Sequence, residues 1–464
     1  MLGSAKALEA LHTFSRLQES LARRHVIDAL SAGLEGANPQ RLLRRHVRLE
    51  GHNLRVNSRH FDLSKFNRLF VLGGGKAAAL MTLEVERVLG DKITEGLVNV
   101  PDYLTSIPKP RFVQFHKATH PLPSVIGAKG VEKMLSMTRD RTERDLVICL
   151  LSGGGSALMP LPASGIRVSD KVRVTDLLLK SGARIEEINA VRKHLSAIKG
   201  GRLAERLCPA TVVVLIISDV LSNRLDSIAS GPLAPDETTF AEAKLVLKKY
   251  RLWNKIPENV RMVIEKGRQG LLPETPKRGS KIFDRIHSFI VGTNRDTCVE
   301  AARFLRRKGY RTTILPERLQ GEARHVGTAI GSALVDGASS RFRASRLFAL
   351  VGGGETTVTV KGRGMGGRNQ EVVLSAVLRL AGVQGLAIGS MDTDGIDGST
   401  RAAGALASWD TLNLATRRKL KVESFLKRND SYHFFEKLDS LIVTGPTGTN
   451  VGDLLVALAA GTSN

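Results

Sequence analysis

The sequence predicts an α/β fold built from buried, mostly parallel strands, on three observations. Seven short, continuous apolar runs each end in a loop rich in Gly, Ser, Asp or Asn, and helix-period patterns separate them. Continuous apolar runs of this length mark strands buried on both faces, as in parallel sheets with helices between the strands. Finally, 464 residues with 42% hydrophobic and 25% charged side chains make an ordinary globular chain, long enough for two or three domains.

Residues 1–30 place apolar side chains at helical spacing among mixed charges and predict an opening helix. They hold no long apolar core, which excludes a secretory signal, and Glu9 and Glu19 weigh against a mitochondrial presequence. The expected location is cytoplasmic, with the mitochondrial matrix as the alternative if this stretch is a presequence. The basic stretch 41–59 predicts an amphipathic helix followed by a strand.

The seven runs then follow in order. Residues 69–72 lead into GGGKAAALM, 146–151 into SGGGSALM, 212–217 into SDVLSN, and 289–291 into GTNRD. Residues 347–351 lead into GGGET, 386–388 into GSMDTDGIDGS, and 441–443 into TGPTGTN. Ligands on such sheets bind beyond the carboxyl ends of the strands, so all seven loops are expected on the functional edge. A domain boundary is expected within 233–280, where LAPDETTF gives way to a basic helical pattern and then to QGLLPETPKRGS. A second, weaker break is expected at 337–346.

Composition excludes several functions. Cys149, Cys208 and Cys298 lie far apart with no CxxC, which excludes a disulfide framework or a zinc–cysteine site and fits a reducing compartment. No apolar stretch approaches the ~20 residues of a membrane helix. The formal charge of +24 admits nucleic acid, anionic substrates or simple surface bias. Aromatic residues make up only 5% and do not interleave with the basic ones, so nucleic-acid binding is not favoured.

Chemistry is carried by the loops. Gly73-Gly74-Gly75-Lys76-Ala77-Ala78 reads as a loose dinucleotide fingerprint, as a turn whose lysine reaches a phosphate, or as a tight strand–helix turn. Ala77 stands where a Walker A loop has Ser or Thr. Ser152-Gly153-Gly154-Gly155-Ser156 offers successive backbone N–H groups and two hydroxyls to one anion. In 362–371, GRGMGGRNQE, Arg368 is placed to grip a carboxylate or phosphoryl group, and Arg363 reads as a solvated cation. Asp392, Asp394 and Asp397 in DTDGIDG suit Mg²⁺, with Asp394 and Asp397 as the candidate ligands; the other reading is Asx turns. Asp219 is a lone acid at the end of another strand. Asn189, Lys193 and Ser196 share a helical face, with Arg192 and Lys199 expected to be more exposed. Asn294 and Glu355, at two further strand ends, complete the candidates for binding ATP, phosphate or substrate.

At this point the chain resembles a known family. GGGKAAALM, HPLPS, SGGGSALM, NAVRKHLSAIKGGRLA, IISDV…IASGPLAPD, GGGETTV, GRGMGGRNQE, TDGIDG, NDSYHFFEKL and GPTGTNV look like the signature blocks of the D-glycerate 2-kinases, in family order. The resemblance implies ATP-dependent phosphorylation of D-glycerate at O2, giving 2-phosphoglycerate, with Mg²⁺. It implies two α/β domains, here 1–245 and 246–464, each a mostly parallel sheet flanked by helices, with the active site in the cleft between them. The second would include a MOFRL-like region at 346–457. It also implies Lys76 and Arg368 as catalytic cations, with Asp394 or Asp219 as base or acting through Mg²⁺, in a monomer or homodimer.

Three departures from the family pattern stand out. Leu221-Ser222-Asn223-Arg224 replaces a stretch that usually contains acids, Arg401 replaces an acid, and Ser390-Met391-Asp392 replaces a Gly-rich approach. The rival readings are a hydroxypyruvate reductase using NAD(P)H, disfavoured for want of a ribose-binding acid after the second strand, and a nucleic-acid-binding protein.

Overall fold

Each of the seven apolar runs coincides with a strand, 347–351 and 441–443 overrunning theirs by one residue, and the strands belong to two different sheets. The computed structural model describes residues 3–104, 107–220, 222–339 and 347–460. It divides into one unit of residues 42–291 and a second that joins 1–41 to 292–464.

In the first unit a six-stranded sheet has the order Val113–Ala118, Glu95–Pro101, Arg68–Gly74, Asp145–Ser152, Thr211–Ile217, Ile286–Gly292. The first five strands are mutually parallel. In chain order this is 3-2-1-4-5-6, the doubly wound arrangement, whose switch point lies between Arg68–Gly74 and Asp145–Ser152. Asp145–Ser152 is buried at every position, which is why it reads as an unbroken apolar run. Phe70, Leu72, Val147, Cys149, Val212 and Val214 belong to the core against the sheet. The basic stretch forms a helix, Pro39–His46, and then a three-stranded antiparallel sheet, Val47–Glu50, Asn53–Val56 and Arg59–Asp62.

The division at 245/246 expected from sequence is not the one observed. Helices Phe240–Lys249 and Glu258–Arg268 share a core with Val168–Lys180 and Ile185–His194, through Leu178, Ile188, Phe240, Leu247, Val260 and Ile264. The Pro/Gly-rich stretch after them is anchored to the same unit. Glu274 accepts a hydrogen bond from the Phe240 N–H at 2.9 Å and lies 3.0 Å from His194 Nε2. The weaker break at 337–346 falls largely outside the described residues.

Glu274 gives the first unit an acid-sensitive tie. Burial works against its ionised form, but His194 and the Phe240 N–H outweigh burial and hold the carboxyl at about 2 instead of 4.5. A depressed carboxyl contributes stability above its unfolded pKa, and that contribution is lost as pH falls from about 4.5 through about 2. Glu274→Gln is therefore expected to melt lower than the parent at pH 7, with the gap closing towards pH 2–3. An equal gap at both ends of a calorimetric pH series would contradict this assignment.

The second unit corrects the expectation of two mostly parallel sheets. Its sheet runs Arg311–Ile314, Phe348–Thr357, Asp453–Ala459, Leu386–Asp392, Gly404–Ser408, Leu441–Ile442, with Leu319–Glu322 also paired to Phe348–Thr357. Arg311–Ile314 and Leu319–Glu322 pair in parallel with Phe348–Thr357, and the other pairs are antiparallel. The last strand, Asp453–Ala459, is inserted between two strands that come earlier in the chain. Strands buried on both faces read alike in either direction, so composition did not reveal this.

Helices Leu21–Gly36 and Asn294–Arg307 share a core with one face of the mixed sheet, through Val26, Leu30, Ala301, Leu454 and Val456. Ala323–Ser339 and Arg368–Leu380 contribute to the core on the other. The second of the opening helices approaches the sheet closely at Gly33. A Cβ there would lie 2.3 Å from Leu454 Cδ2. Among the described residues, no helix is long and apolar enough to cross a membrane.

Candidate active site

In the first unit the two glycine turns flank the switch point. Gly73, with φ 145°, and Gly75, with φ 152°, lie against the neighbouring strand; a Cβ on Gly75 would stand 2.1 Å from Ser152 Oγ. A Cβ on Gly74 would meet Met159 Cγ at 2.8 Å. These contacts require glycine and bring the turns together. The Lys76 N–H donates to Gly153 O at 2.8 Å, and the Ala77 N–H donates to Ser152 Oγ at 3.0 Å. Lys76 therefore leaves the strand just before helix Ala78–Leu89, where a helix N-terminus favours anions. Gly154, at φ 78°, lies against the lysine stem: its Cβ would be 3.1 Å from Lys76 Cγ and 3.0 Å from His120 Nε2.

Ser152 is fully buried, so its hydroxyl ties the two turns together. Ser156 lies in the short helix Gly155–Leu158, and its hydroxyl lies 2.8 Å from Ser230 Oγ, which donates to Asn189 Oδ1 at 3.2 Å. Asn189 and Lys193 occupy helix Ile185–His194, which ends before Ser196. Lys193 Nζ is 3.1 Å from Asp236 Oδ1 and 3.8 Å from Asp226 Oδ2. Asp236 is buried, and the Lys193 charge holds its carboxyl below the ordinary range although burial works the other way. Asp219 is half-buried just beyond strand Thr211–Ile217. Of the departure at 221–224, Leu221 lies outside the described residues, and Arg224 forms a two-point pair with Asp226 at 3.0 and 2.8 Å.

In the second unit the Gly-rich stretch delivers Arg368 to the start of helix Arg368–Leu380. The antiparallel register sets Asp453 beside both Asp392 and Gly354, one residue from Glu355. Two like charges side by side on adjacent strands would repel. Arg368 resolves the conflict. Its Nε lies 3.0 and 2.8 Å from the Asp453 oxygens, its Nη2 2.7 Å from Asp392 Oδ2, and its Nη1 3.3 Å from Glu355 Oε1. Burial alone lowers an arginine pKa, but Asp453 and Asp392 prevail and raise it.

Asp397 caps the same helix. Its carboxylate accepts from the Asn369 and Gln370 backbone N–H groups at 3.1 and 2.9 Å, and from both side-chain amides at 3.3 and 3.0 Å. Burial pushes its carboxyl up to about 6 against the Gln370 N–H, and the Asp453 charge adds to the rise. Asp394 is buried, and its Oδ1 accepts from the Ile396 N–H at 2.8 Å, as the alternative Asx-turn reading has it. The Asn294 amide donates to Val451 O and Asp453 O at 3.0 and 2.7 Å, bracing the strand that carries Asp453. Arg401, the second departure, donates from Nε to the Tyr432 hydroxyl at 2.7 Å and pairs with Glu436 at 3.3 Å.

Three expectations change. GGGET is strand instead of loop: Gly352, Gly353 and Gly354 are paired residues, and a Cβ on Gly353 would lie 1.8 Å from Asn294 Oδ1. Lys199, expected to be more exposed, is buried with Nζ 3.0 Å from Ala229 O. An acid does follow the second strand, since Asp102 comes directly after Pro101. Asp453, Asp236 and Ser230 were missed. The only hint of Asp453 in the sequence was an acid opening an otherwise apolar run.

The turn pair at a doubly wound switch point and the carboxylate-held arginine at a second sheet edge describe an α/β enzyme equipped for anions. Comparison with known proteins narrows this class. Residues 25–265 match the model of a domain of unknown function, DUF4147, and residues 348–453 match the MOFRL family. Glycerate 2-kinase of Pyrococcus horikoshii is 38% identical over 427 residues, covering 92% of this chain and 94% of that protein. D-glycerate 2-kinase of Thermotoga maritima is 42% identical over 398 residues, 85% of this chain and 92% of its own. A crystal structure of glycerate kinase from that organism superposes with a TM-score of 0.79 at 38% identity, covering 94% of this chain and 99% of its own. A putative hydroxypyruvate reductase of Agrobacterium vitis is 39% identical over 84% of this chain and 99% of its own. The chain belongs to the glycerate 2-kinase family.

Proposed function

We propose that this protein transfers a phosphoryl group from ATP to the 2-hydroxyl of D-glycerate, giving 2-phospho-D-glycerate and ADP. The observation that carries the reading is Lys76 at a helix start, packed against the Ser152–Ser156 turn at the sheet's switch point. Phosphoryl transfer is achieved largely by positioning and by positive charge at the transferring group. Lys76 and Arg368 supply that charge, Ser156, Asn189 and Lys193 hold phosphate or the glycerate carboxylate, and Asp219 or Asp394 takes the hydroxyl proton.

Mg²⁺ enters with the nucleotide as part of that substrate, held by phosphate oxygens and at most one or two carboxylates. Asp397 does not suit a ligand role, because both its oxygens are already engaged at the helix start. Among the described residues, no group of three or more His, Cys, Asp or Glu is arranged to hold a metal ion. The protein acts on a small molecule, in the cytoplasm or, if residues 1–30 are a presequence, in the mitochondrial matrix.

The doubly wound order and Asp102 after the second strand favour one rival, an NAD(P)H-dependent hydroxypyruvate reductase. Parallel incubations of D-glycerate with Mg-ATP and of hydroxypyruvate with NADH, with products identified by mass, separate the two. ADP with 2-phosphoglycerate is expected; NADH oxidation without any phosphorylated product would sink the kinase assignment.

A further inference from the structure

Lys199 is a fully buried lysine to which the chemistry above gives no task. Its Nζ donates to the Ala229 carbonyl at 3.0 Å. The next three carbonyls of that run are held from the same segment by backbone amides. The Gly200 N–H donates to Ser230 O at 3.1 Å, Gly201 to Gly231 O at 2.8 Å, and Leu203 to Pro232 O at 3.1 Å. Residues 199–203 thus form a clamp on four successive carbonyls, with a side chain serving the first of them.

The clamped run is strained. Ala229 has φ 51° and ψ 21°, and Ser230 has φ 61°, two adjacent non-glycine residues in the left-handed region. Residues with a Cβ stay there only where their surroundings enforce it, and such strain gathers at functional sites. The run also faces the candidate site. A Cβ on Gly155 would stand 2.9 Å from Ala229 Cβ, and the Ser230 hydroxyl bridges Ser156 and Asn189.

We propose that Lys199 is a positioning residue that holds the Ala229 carbonyl, keeps residues 229–230 left-handed, and so fixes the Ser230 hydroxyl between Ser156 and Asn189. The role rests on the binding assignment of Ser156 and Asn189 given above. Burial, with Lys171 and Arg192 nearby, lowers the Lys199 pKa well below its ordinary value. Donation to a carbonyl does not need the charge, because a neutral amine also carries N–H groups.

The test combines thermal melting with steady-state kinetics in both Mg-ATP and D-glycerate, on Lys199→Met, Ala229→Gly and the double variant. Lys199→Met is expected to remain folded and to raise KM for one substrate about tenfold, leaving the other within twofold. A lesion that merely reduced the folded fraction would lower apparent kcat for both substrates alike. Ala229→Gly alone is expected to behave like the parent. In the double variant, glycine adopts the left-handed conformation without being held, so at least threefold of the lost kcat/KM should return.

A folded Lys199→Met with parental KM values, or a double variant without recovery, overturns the proposal. Where Lys199→Met does not fold, Ser230→Ala decides: it must raise KM for one substrate at least fivefold, and parental kinetics refute the role. Ser156→Ala and Asn189→Ala separate the two levels. Parental kinetics in both would mean that the binding assignment has failed, whereas defects there beside a parental Lys199→Met would isolate the failure to Lys199.

Discussion

Arg368→Met is expected to lose turnover by about a thousandfold or more and to melt well below the parent, two effects with separate causes. The catalytic loss follows from the role proposed for Arg368, a planar cation at the transferring phosphoryl group, where such arginines contribute roughly 10³ to 10⁵ in rate. The stability loss comes from what stays behind. Asp392 and Asp453 are buried side by side, and Arg368 is the cation bonded to both. Stripping one partner from a buried ion pair costs about 3–5 kcal/mol, because a desolvated charge is left uncompensated.

The two effects respond differently to acid. Without the arginine, protonation relieves the repulsion between the carboxylates, and burial already raises the Asp453 carboxyl, so the melting deficit narrows at the lower of two pH values, while turnover does not recover. Arg368→Lys should fall between the two, since a point charge cannot serve both carboxylates with the fork geometry seen here. Melting curves at the two pH values, paired with turnover, check this; a pH-independent deficit would show that the carboxylates are not its source.

Lys76→Met is expected to slow phosphoryl transfer by about a hundred- to a thousandfold, the range for removing one preorganised donor to developing charge. Here, in contrast to Arg368, the turn that carries the residue should keep its geometry. The tight geometry of the turn is made by Gly73, Gly75, Ser152 and the backbone amides of residues 76 and 77, all of which the substitution leaves in place. Single-turnover rates with Mg-ATP and D-glycerate give the readout. A variant that turns over within threefold of the parent removes Lys76 from the chemistry.

Local signals were the legible ones. The strands around 69–72, 146–151 and 212–217 announced themselves because burial on both faces requires unbroken apolar runs. The glycines of residues 153–155 read as a candidate anion cradle because few structural turns need three of them flanked by serines. What stayed hidden depended on which distant segments meet. Asp453 matters through its register with Asp392, and register is invisible in an apolar run. Lys199 looked solvated because the helical period was carried past His194, where the helix ends. Phe240–Lys249 fell inside the expected boundary region because the helices that its apolar face packs on lie some 60 residues earlier.

The mixed-sheet unit draws its first helices from residues 1–41 and its central strand from Asp453–Ala459. A nascent chain therefore completes residues 42–291, whose strands are all its own, while Val26, Leu30 and Leu34 still wait for the sheet they will cover. Emerging domains tend to fold in order of synthesis, and waiting apolar surface is prone to aggregation. The helices of residues 1–41 are thus made before the sheet they cover and are among the last elements to find their partners. Dissection by expression follows the same logic: residues 39–292 keep every strand of their sheets, whereas 293–464 expressed alone would expose the sheet face that residues 1–41 cover.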